Sequence, residues 1–257
     1  MRFLMVGDVV GKPGRKILAD KLKIIKEEFD IEGVVVNGEN AAGGLGIMPE
    51  VCEEILSYGV DVITTGNHIW DKKEIVDYID CQPRLIRPLN YPPGVPGRGW
   101  AVVEKRGKKW IVANVNGRVF MPSLDCPFQR MEEELESFKK ITNIILVDFH
   151  AEASSEKIAM GWFLDGRVSC IFGTHTHVAT ADERILPQGT AYITDIGMTG
   201  AHNSVIGVRK EDILNRFLTQ MPVRYRVAKE DVQLNGIVVE VDEITGRATG
   251  ISRLSIS

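Results

Sequence analysis

Most histidines of this chain lie in short polar clusters that also contain carboxylates, asparagines and glycines. Five such clusters are spread over the sequence: GDVVG at 7–11, NGEN at 37–40, GNH at 66–68, DFHAE at 148–152 and GTHTH at 173–177. Four of the 5 histidines fall within them, which a random placement would rarely produce. Imidazoles and carboxylates are side chains that bind metal ions and exchange protons. The clusters therefore predict one catalytic, metal-dependent site.

The residue types in these clusters favour a pair of divalent metal ions. The carboxylates of Asp8 and Glu39 carry negative charge and can bridge two ions. Neutral imidazoles, here His150, His175 and His177, suit Fe, Mn or Zn. Alternate residues of an extended segment point the same way, so we expect His175 and His177 to face one site. No cysteine occurs in the clusters, which argues against a structural zinc site.

Short apolar runs alternate with amphipathic stretches along the chain, which is typical of an α/β protein. Each polar cluster lies at or just after the end of a predicted strand, where ligand crevices form in α/β sheets. The predicted strands cover 3–6, 34–36, 60–65, 101–103, 110–115, 143–149, 168–172, 190–194, 236–241 and 250–256. The predicted helices cover 13–29, 49–58, 72–79, 129–140, 156–164 and 210–218. We predict a two-layer β-sandwich core flanked by helices, in a single domain over residues 1–257.

Composition excludes several classes of function. The 31 basic and 35 acidic residues give a net charge of −4, whereas affinity for long DNA or RNA needs many basic residues on phosphates. A single nucleotide needs only a local site and is not excluded. No apolar run approaches the roughly 20 residues that span a bilayer, so we expect no membrane contact.

The cysteine pattern and the N-terminal residues predict a cellular location. The 4 cysteines are scattered and form no C-x-x-C pair, which does not support a disulfide scaffold. The first residues lack the charged, apolar and small-residue regions of a secretory signal. We therefore expect a cytoplasmic protein, and a homo-oligomer is compatible with the sequence.

In their order, the clusters resemble the motifs of the calcineurin-like metallophosphoesterase family, which read GDxHG, GDxxD, GNHE, a lone His and GHxH. The pair Glu39-Asn40, GMTG at 197–200 and SVIG at 204–207 make the chain similar to the YmdB-like bacterial branch. The resemblance covers nearly the whole chain. It implies a metallophosphoesterase domain with a two-iron centre, or one with Mn. It also implies 2′,3′-cyclic-nucleotide 2′-phosphodiesterase activity on a small cyclic nucleotide.

Two positions depart from the wider family. Val10 stands where the family usually has a histidine, and Glu39 stands where it commonly has an aspartate. The resemblance implies that Asn40 replaces the missing histidine through its amide oxygen. One ion would then be held by Asp8, Glu39, Asn40 and His177. The other would be held by Glu39, Asn67, His150 and His175, with Glu39 bridging the two.

The resemblance also implies a mechanism. A hydroxide shared by the two ions would attack phosphorus, and His68 would protonate the leaving 2′ or 3′ oxygen. His68 follows the ligand Asn67 directly but is not needed as a ligand. An imidazole suits this role because it can exchange a proton near neutral pH.

Each of these residues has an ordinary structural alternative. Asp8 could cap a helix, Asn40 and Asn67 could stabilise turns, and His68 could be a surface or hydrogen-bonded histidine. Two acidic residues, Asp148 and Glu152, flank His150. They either hydrogen-bond to ligand imidazoles or are ordinary solvated or capping residues.

Two other functions are compatible with the same residues. A phosphomonoesterase or protein phosphatase could use the same metal pair, and the walls of the pocket would decide between these substrates. A metal-poor regulatory scaffold is the third hypothesis. Such a protein should have lost ligands or the acid, whereas this chain departs from the family's histidine pattern only at Val10.

Overall fold

The computed structural model describes residues 1–257, which form two β-sheets and six α-helices. The strands are β1 (Arg2–Val6), β2 (Asp8–Val9), β3 (Gly33–Asn37), β4 (Val62–Thr64), β5 (Trp100–Lys105), β6 (Lys108–Asn116), β7 (Ile145–His150), β8 (Cys170–Thr174), β9 (Arg184–Ile185), β10 (Ala191–Ile193), β11 (Met198–Ala201), β12 (Val232–Val241) and β13 (Ala248–Ile256). The helices are α1 (Gly11–Glu28), α2 (Pro49–Ser57), α3 (Glu74–Tyr78), α4 (Pro127–Ile141), α5 (Ser154–Leu164) and α6 (Lys210–Thr219). A short 3₁₀ helix follows α3 at Ile79–Cys81.

Parallel strands at the centre of each sheet bring the polar clusters to one edge. The first sheet has the order β2-β11-β12-β1-β3-β4, with β13 paired to β12, and the second has the order β5-β6-β7-β8-β10-β9. Strands β1, β3 and β4 run parallel in the first sheet, and β6, β7, β8 and β10 run parallel in the second. Parallel strands end at the same edge, so the residues that follow them gather there.

Apolar side chains fill the space between the sheets and cover both outer faces. Phe3 and Met5 of β1 point inward, where Phe3 packs edge-on against Trp110 of the second sheet with ring centroids 5.5 Å apart. Leu4 and Val6 of the same strand point outward into a core shared with α1 and α2. Because β1 is buried on both faces, it reads as a continuous apolar run rather than an alternating one. A third core lies between the second sheet and helices α4 and α5.

The predicted fold class, a β-sandwich flanked by helices, is confirmed. Each predicted strand and helix is present, with bounds shifted by a few residues. Three short strands were not predicted: β2, β9 and β11. They have two to four residues and are defined by pairing with distant segments, for example Met198 with Asp8. No helix is both long and apolar enough to cross a bilayer.

Candidate metal centre

The Nε2 atom of His150 is the meeting point of four polar clusters. His150 ends β7 and is fully buried. Its Nε2 lies 3.0 Å from Oε1 of Glu39, which follows β3, and 3.1 Å from Oδ1 of Asn67, which follows β4. Nδ1 of His175, which follows β8, is 3.0 Å from the same atom. The structure therefore brings together the four residues for which the resemblance implies a shared metal ion.

A buried hydroxyl relay sets the tautomer of His150. The hydroxyl of Thr174 donates to Oδ1 of Asp148 at 2.7 Å, so its oxygen accepts from Nδ1–H of His150 at 2.9 Å. Asp148 also accepts from the hydroxyl of Thr64 at 2.5 Å, and burial raises its pKa to about 6. Nε2 of His150 is thereby left to face the cluster. Of the two alternatives for Asp148, the structure favours a hydrogen-bond partner, reached through Thr174.

Glu152 pairs with His175 and not with its sequence neighbour His150. Its Oε2 lies 3.1 Å from Nε2 of His175, so this nitrogen carries the proton and Nδ1 presents its lone pair to the cluster. Burial and the neighbouring His150 lower the pKa of His175 to about 3, which keeps the ring neutral. A carboxylate on the far nitrogen is the usual way to orient a ligand imidazole.

His177 and Asn40 form a second group of facing acceptors. Nδ1–H of His177 donates to the carbonyl of Ile206 at 2.9 Å, and the Asn40 amide nitrogen donates to the carbonyl of Gly44 at 3.0 Å. These bonds leave Nε2 of His177 and Oδ1 of Asn40 facing each other at 3.2 Å. Two acceptors at that distance have no proton between them in this tautomer, and a shared cation satisfies both.

Asp8 contributes a buried carboxylate with an unused oxygen. Its side chain is fully buried, and Oδ2 accepts from the backbone N–H of His175 at 3.2 Å. Oδ1 has no hydrogen-bond partner, although it lies 3.9 Å from Nδ1 of His150. Burial raises the pKa of Asp8. An orphaned buried carboxylate oxygen is costly unless a cation or proton occupies the space beside it.

These atoms together fit divalent metal ions. Glu39, His150 and His175 offer ligand atoms within 4.8 Å of one another. Burial alone would lower the pKa of His150, but Glu39 and Asp8 outweigh it and raise the pKa to about 9. Burial alone would raise the pKa of Glu39, but His150 and His68 lower it to about 2. One proton at Nε2 of His150 cannot satisfy three surrounding acceptors, whereas a metal ion that displaces it can.

The histidines of the GTHTH motif adopt a strained backbone. His175 has φ 96° and His177 has φ 64°, both in the left-handed region that non-glycine residues rarely adopt. Such conformations persist only where surrounding contacts hold them, and they cluster at functional sites. The strain is consistent with a segment shaped to aim its imidazoles at the centre.

Gly66 leaves room for the centre. A Cβ at this position would lie 2.2 Å from Cδ2 of His150 and 2.3 Å from Oε2 of Glu39. No side chain can be accommodated between these two residues. The glycine of the GNH cluster is therefore needed for space and not for an unusual φ.

Val10, which stands where the wider family has a histidine, packs against two glycines. A Cβ at Gly207 would lie 2.7 Å from Cγ1 of Val10, and a Cβ at Gly200 would lie 3.1 Å from its Cβ. Val10 is 3% exposed and belongs to the core. The GMTG and SVIG stretches thus supply the two glycines that pack against Val10. Asn40, whose carbonyl accepts from Gly11 N–H at 2.9 Å, is held beside it.

His68 lies at the rim of the centre. Its backbone N–H donates to Oε2 of Glu39 at 3.2 Å, and its Nδ1 is 2.8 Å from Oδ2 of Asp71. The side chain is 30% exposed. The remaining histidine, His202, lies 3.0 Å from the Asn235 amide nitrogen and takes no part in the centre.

A comparison with family models matches residues 4–254 to the family described as YmdB-like protein. The chain belongs to this family. The resemblance predicted from the five clusters is thereby confirmed.

Relatives of the chain carry phosphoesterase names. It is 48% identical to the 2′,3′-cyclic-nucleotide 2′-phosphodiesterase of Bacillus subtilis, over 100% of this chain and 97% of that protein. It is 37% identical to a novel phosphatase of Mycoplasma pneumoniae with a TM-score of 0.93, covering 100% of this chain and 93% of that one. A hypothetical protein of Thermus thermophilus also gives a TM-score of 0.93 at 41% identity, covering 99% of this chain and 98% of that one. The predicted enzyme class, a phosphoric ester hydrolase, is confirmed.

Replacing Asn40 by alanine should weaken the binding of one metal ion and leave the binding of the other unchanged. The Asn40 amide oxygen faces only His177, while the atoms around His150 are untouched by the change. Titration of the metal-free variant should therefore give one unchanged and one weakened binding step. Asn235→Ala is the matched control, since this buried asparagine bonds to His202 and Met198 outside the centre. Unchanged affinity at both steps would make Asn40 an ordinary turn residue.

Sequence reasoning missed two charged residues behind the GTHTH motif. Lys157 of α5 and Asp195 are both almost fully buried and are 2.6 Å apart. Asp195 follows β10 and so obeys the same strand-end rule as the five clusters, but no histidine or glycine motif marks it. Lys157 lies on a helix next to Glu156, and in the sequence this charged pair is typical of a solvent-exposed helix face. A strand-end search that included every carboxylate would have found Asp195.

Proposed function

We propose that this chain is a two-metal phosphodiesterase that opens small 2′,3′-cyclic nucleotides by releasing the 2′ oxygen. The observation that carries the proposal is the set of acceptor atoms of Glu39, Asn67 and His175 around one nitrogen of His150. The activity for which the Bacillus subtilis relative is named supports the choice of substrate.

The donor atoms divide into two groups that share Glu39. We assign Asp8, Asn40 and His177 to one ion, Asn67, His150 and His175 to the other, and Glu39 to both. The donors are imidazole nitrogens and carboxylate or amide oxygens without thiolate, which suits Fe or Mn, and we propose Fe. When bound, two such ions would polarise the phosphoryl oxygens and lower the pKa of water so that it can attack at neutral pH.

His68 is proposed to hold the proton that the leaving oxygen needs. Its Nδ1 is bonded to the carboxylate of Asp71, which orients the ring. Its backbone is fixed to Glu39, so the ring stays beside the centre. Nε2 is then the atom that can donate to the 2′ oxygen as the P–O bond breaks.

A substrate panel tests the proposed reaction. Metal-quantified protein should cleave 2′,3′-cyclic AMP and bis-p-nitrophenyl phosphate, with less activity on 3′,5′-cyclic AMP and little on p-nitrophenyl phosphate. The product of 2′,3′-cyclic AMP should be the 3′-phosphate, because the 2′ oxygen leaves. Faster cleavage of the monoester p-nitrophenyl phosphate than of either phosphodiester would favour a phosphatase. Absence of metal and of all four activities would favour a regulatory scaffold.

A further inference from the structure

We propose that the buried ion pair Lys157–Asp195 positions the ligand histidines His175 and His177, and that metal affinity depends on it. The proposal rests on the metal centre described above. Lys157 and Asp195 are positioning residues in this account, since neither side chain hydrogen-bonds to a metal-ligand side chain.

The depth of the ion pair does not by itself indicate a gain in stability. Both side chains are 1% exposed, and Nζ of Lys157 lies 2.6 Å from Oδ2 of Asp195. Removing two charges from water carries a large penalty, and apolar side chains of similar volume often stabilise a core as well or better. The role of the pair is therefore better judged from the groups that it contacts.

The same charged atoms hold the backbone of the GTHTH motif. Nζ of Lys157 donates to the carbonyl of Thr174 at 2.8 Å. Oδ2 of Asp195 accepts from the backbone N–H of Thr176 at 3.2 Å and from its hydroxyl at 2.7 Å. Thr174 and Thr176 flank His175, so the ion pair holds the chain on both sides of the first ligand. Thr176 also precedes His177 directly.

Asp195 is itself rigidly placed. Its backbone N–H donates to the hydroxyl of Thr180 at 2.9 Å, and its carbonyl accepts from Thr180 N–H at 3.0 Å. Oδ1 accepts from the N–H of Gly197 at 2.8 Å, at the start of the GMTG stretch. The carboxylate thus ties the GTHTH motif to the segment that packs against Val10.

The strained histidines need this support. Left-handed φ values at His175 and His177 are unfavourable and must be imposed by neighbouring contacts. The Asp195 carboxylate makes its bonds at Thr176, between the two strained residues. Loss of these bonds should let the segment relax and move both imidazoles away from their partners.

Titration of the chelated, full-length protein with Mn²⁺ alone tests the proposal. Asp195→Asn should lower Mn²⁺ affinity by about 10- to 100-fold, the usual effect of losing a group that orients metal ligands. Thr176→Val removes only the hydroxyl bond and should give a smaller loss, which Thr176→Ser should restore. Leu164→Ala is the matched control, because this buried residue ends α5 and belongs to the core between the second sheet and the helices. It should lower the melting temperature of the metal-free protein and keep wild-type affinity.

The Mn²⁺ affinities of these variants decide whether the ion pair positions the histidines. Wild-type Mn²⁺ affinity in both Asp195→Asn and Thr176→Val would overturn the proposal and make the pair purely structural. If Asp195→Asn does not fold, the difference between Thr176→Val and Thr176→Ser decides, and equal affinities would overturn it. If the wild-type protein itself binds no Mn²⁺, the metal centre is wrong and this proposal fails with it.

Discussion

Glutamine at position 39 should leave the protein folded but unable to retain either metal ion or to hydrolyse a phosphodiester. Glu39 is 1% exposed, and its two oxygens contact His150 Nε2 and the backbone of His68. Glutamine keeps the shape but replaces a bridging carboxylate by a neutral amide, which is a poor ligand for two cations. Elemental analysis of purified Glu39→Gln should show both ions lost together, with hydrolysis reduced to background.

Thermal unfolding gives a second measure of the same change. A ligand present at 100 times its Kd stabilises the folded state by about 2.7 kcal/mol for one site. In a protein of this size that corresponds to a rise of roughly 5–10 °C in the melting temperature. Saturating Mn²⁺ should produce at least such a rise in the wild-type protein and none in Glu39→Gln.

A buried carboxylate outside the centre provides the control for Glu39. Asp212 of α6 is 4% exposed and pairs with Arg226. Asp212→Asn should lose stability through the broken ion pair but keep both ions and full activity. A Glu39→Gln protein that retained one ion at wild-type affinity would refute the bridging role.

Alanine at position 68 should separate metal binding from proton transfer. His68→Ala should keep both ions, because the ring's only hydrogen bond is to Asp71. Hydrolysis of 2′,3′-cyclic AMP should fall by about 10²–10⁴-fold, the usual contribution of a general acid. Bis-p-nitrophenyl phosphate has a leaving group that hardly needs a proton, so its hydrolysis should fall much less.

The contrast between the two substrates identifies the role of His68. A folding defect would depress both activities equally, and loss of an ion would make His68 a ligand. His202→Ala is the matched control, since this histidine is bonded to Asn235 away from the centre. Its activities on both substrates should be unchanged. An equal loss on both substrates in His68→Ala would rule out the general acid.

The sequence was sufficient to predict the sandwich and the edge at which the polar clusters meet. Residues such as Glu39 and His150 lie at or just after the ends of buried parallel strands, and this topology brings strand ends together without any detailed knowledge of packing. The apolar runs of β3 and β7 are long enough to predict these strands reliably. Their fully buried pattern, as in Val34–Val36, marks strands covered on both faces.

Features that depend on distant packing were beyond the sequence. Strand β11 has four residues and is defined by its pairing with β2 and β12. Val10 packs against Gly200 and Gly207, which are distant from it in the sequence, so this contact could not be predicted. The partner of His175 was likewise unpredictable, because Glu152 is nearer to His150 in sequence but bonds to His175 in space. In each case the contact joins segments whose separation in the sequence follows no pattern.

The number of metal ions bound per chain is the most direct test of a two-metal centre. Chelated wild-type protein should be titrated with Mn²⁺ by calorimetry, and the bound metal should be counted by elemental analysis after removal of excess. The facing acceptors around His150 and at His177 predict two ions per chain, with phosphodiester hydrolysis returning as both sites fill. Binding of one ion or none by the folded protein would contradict the two-metal centre.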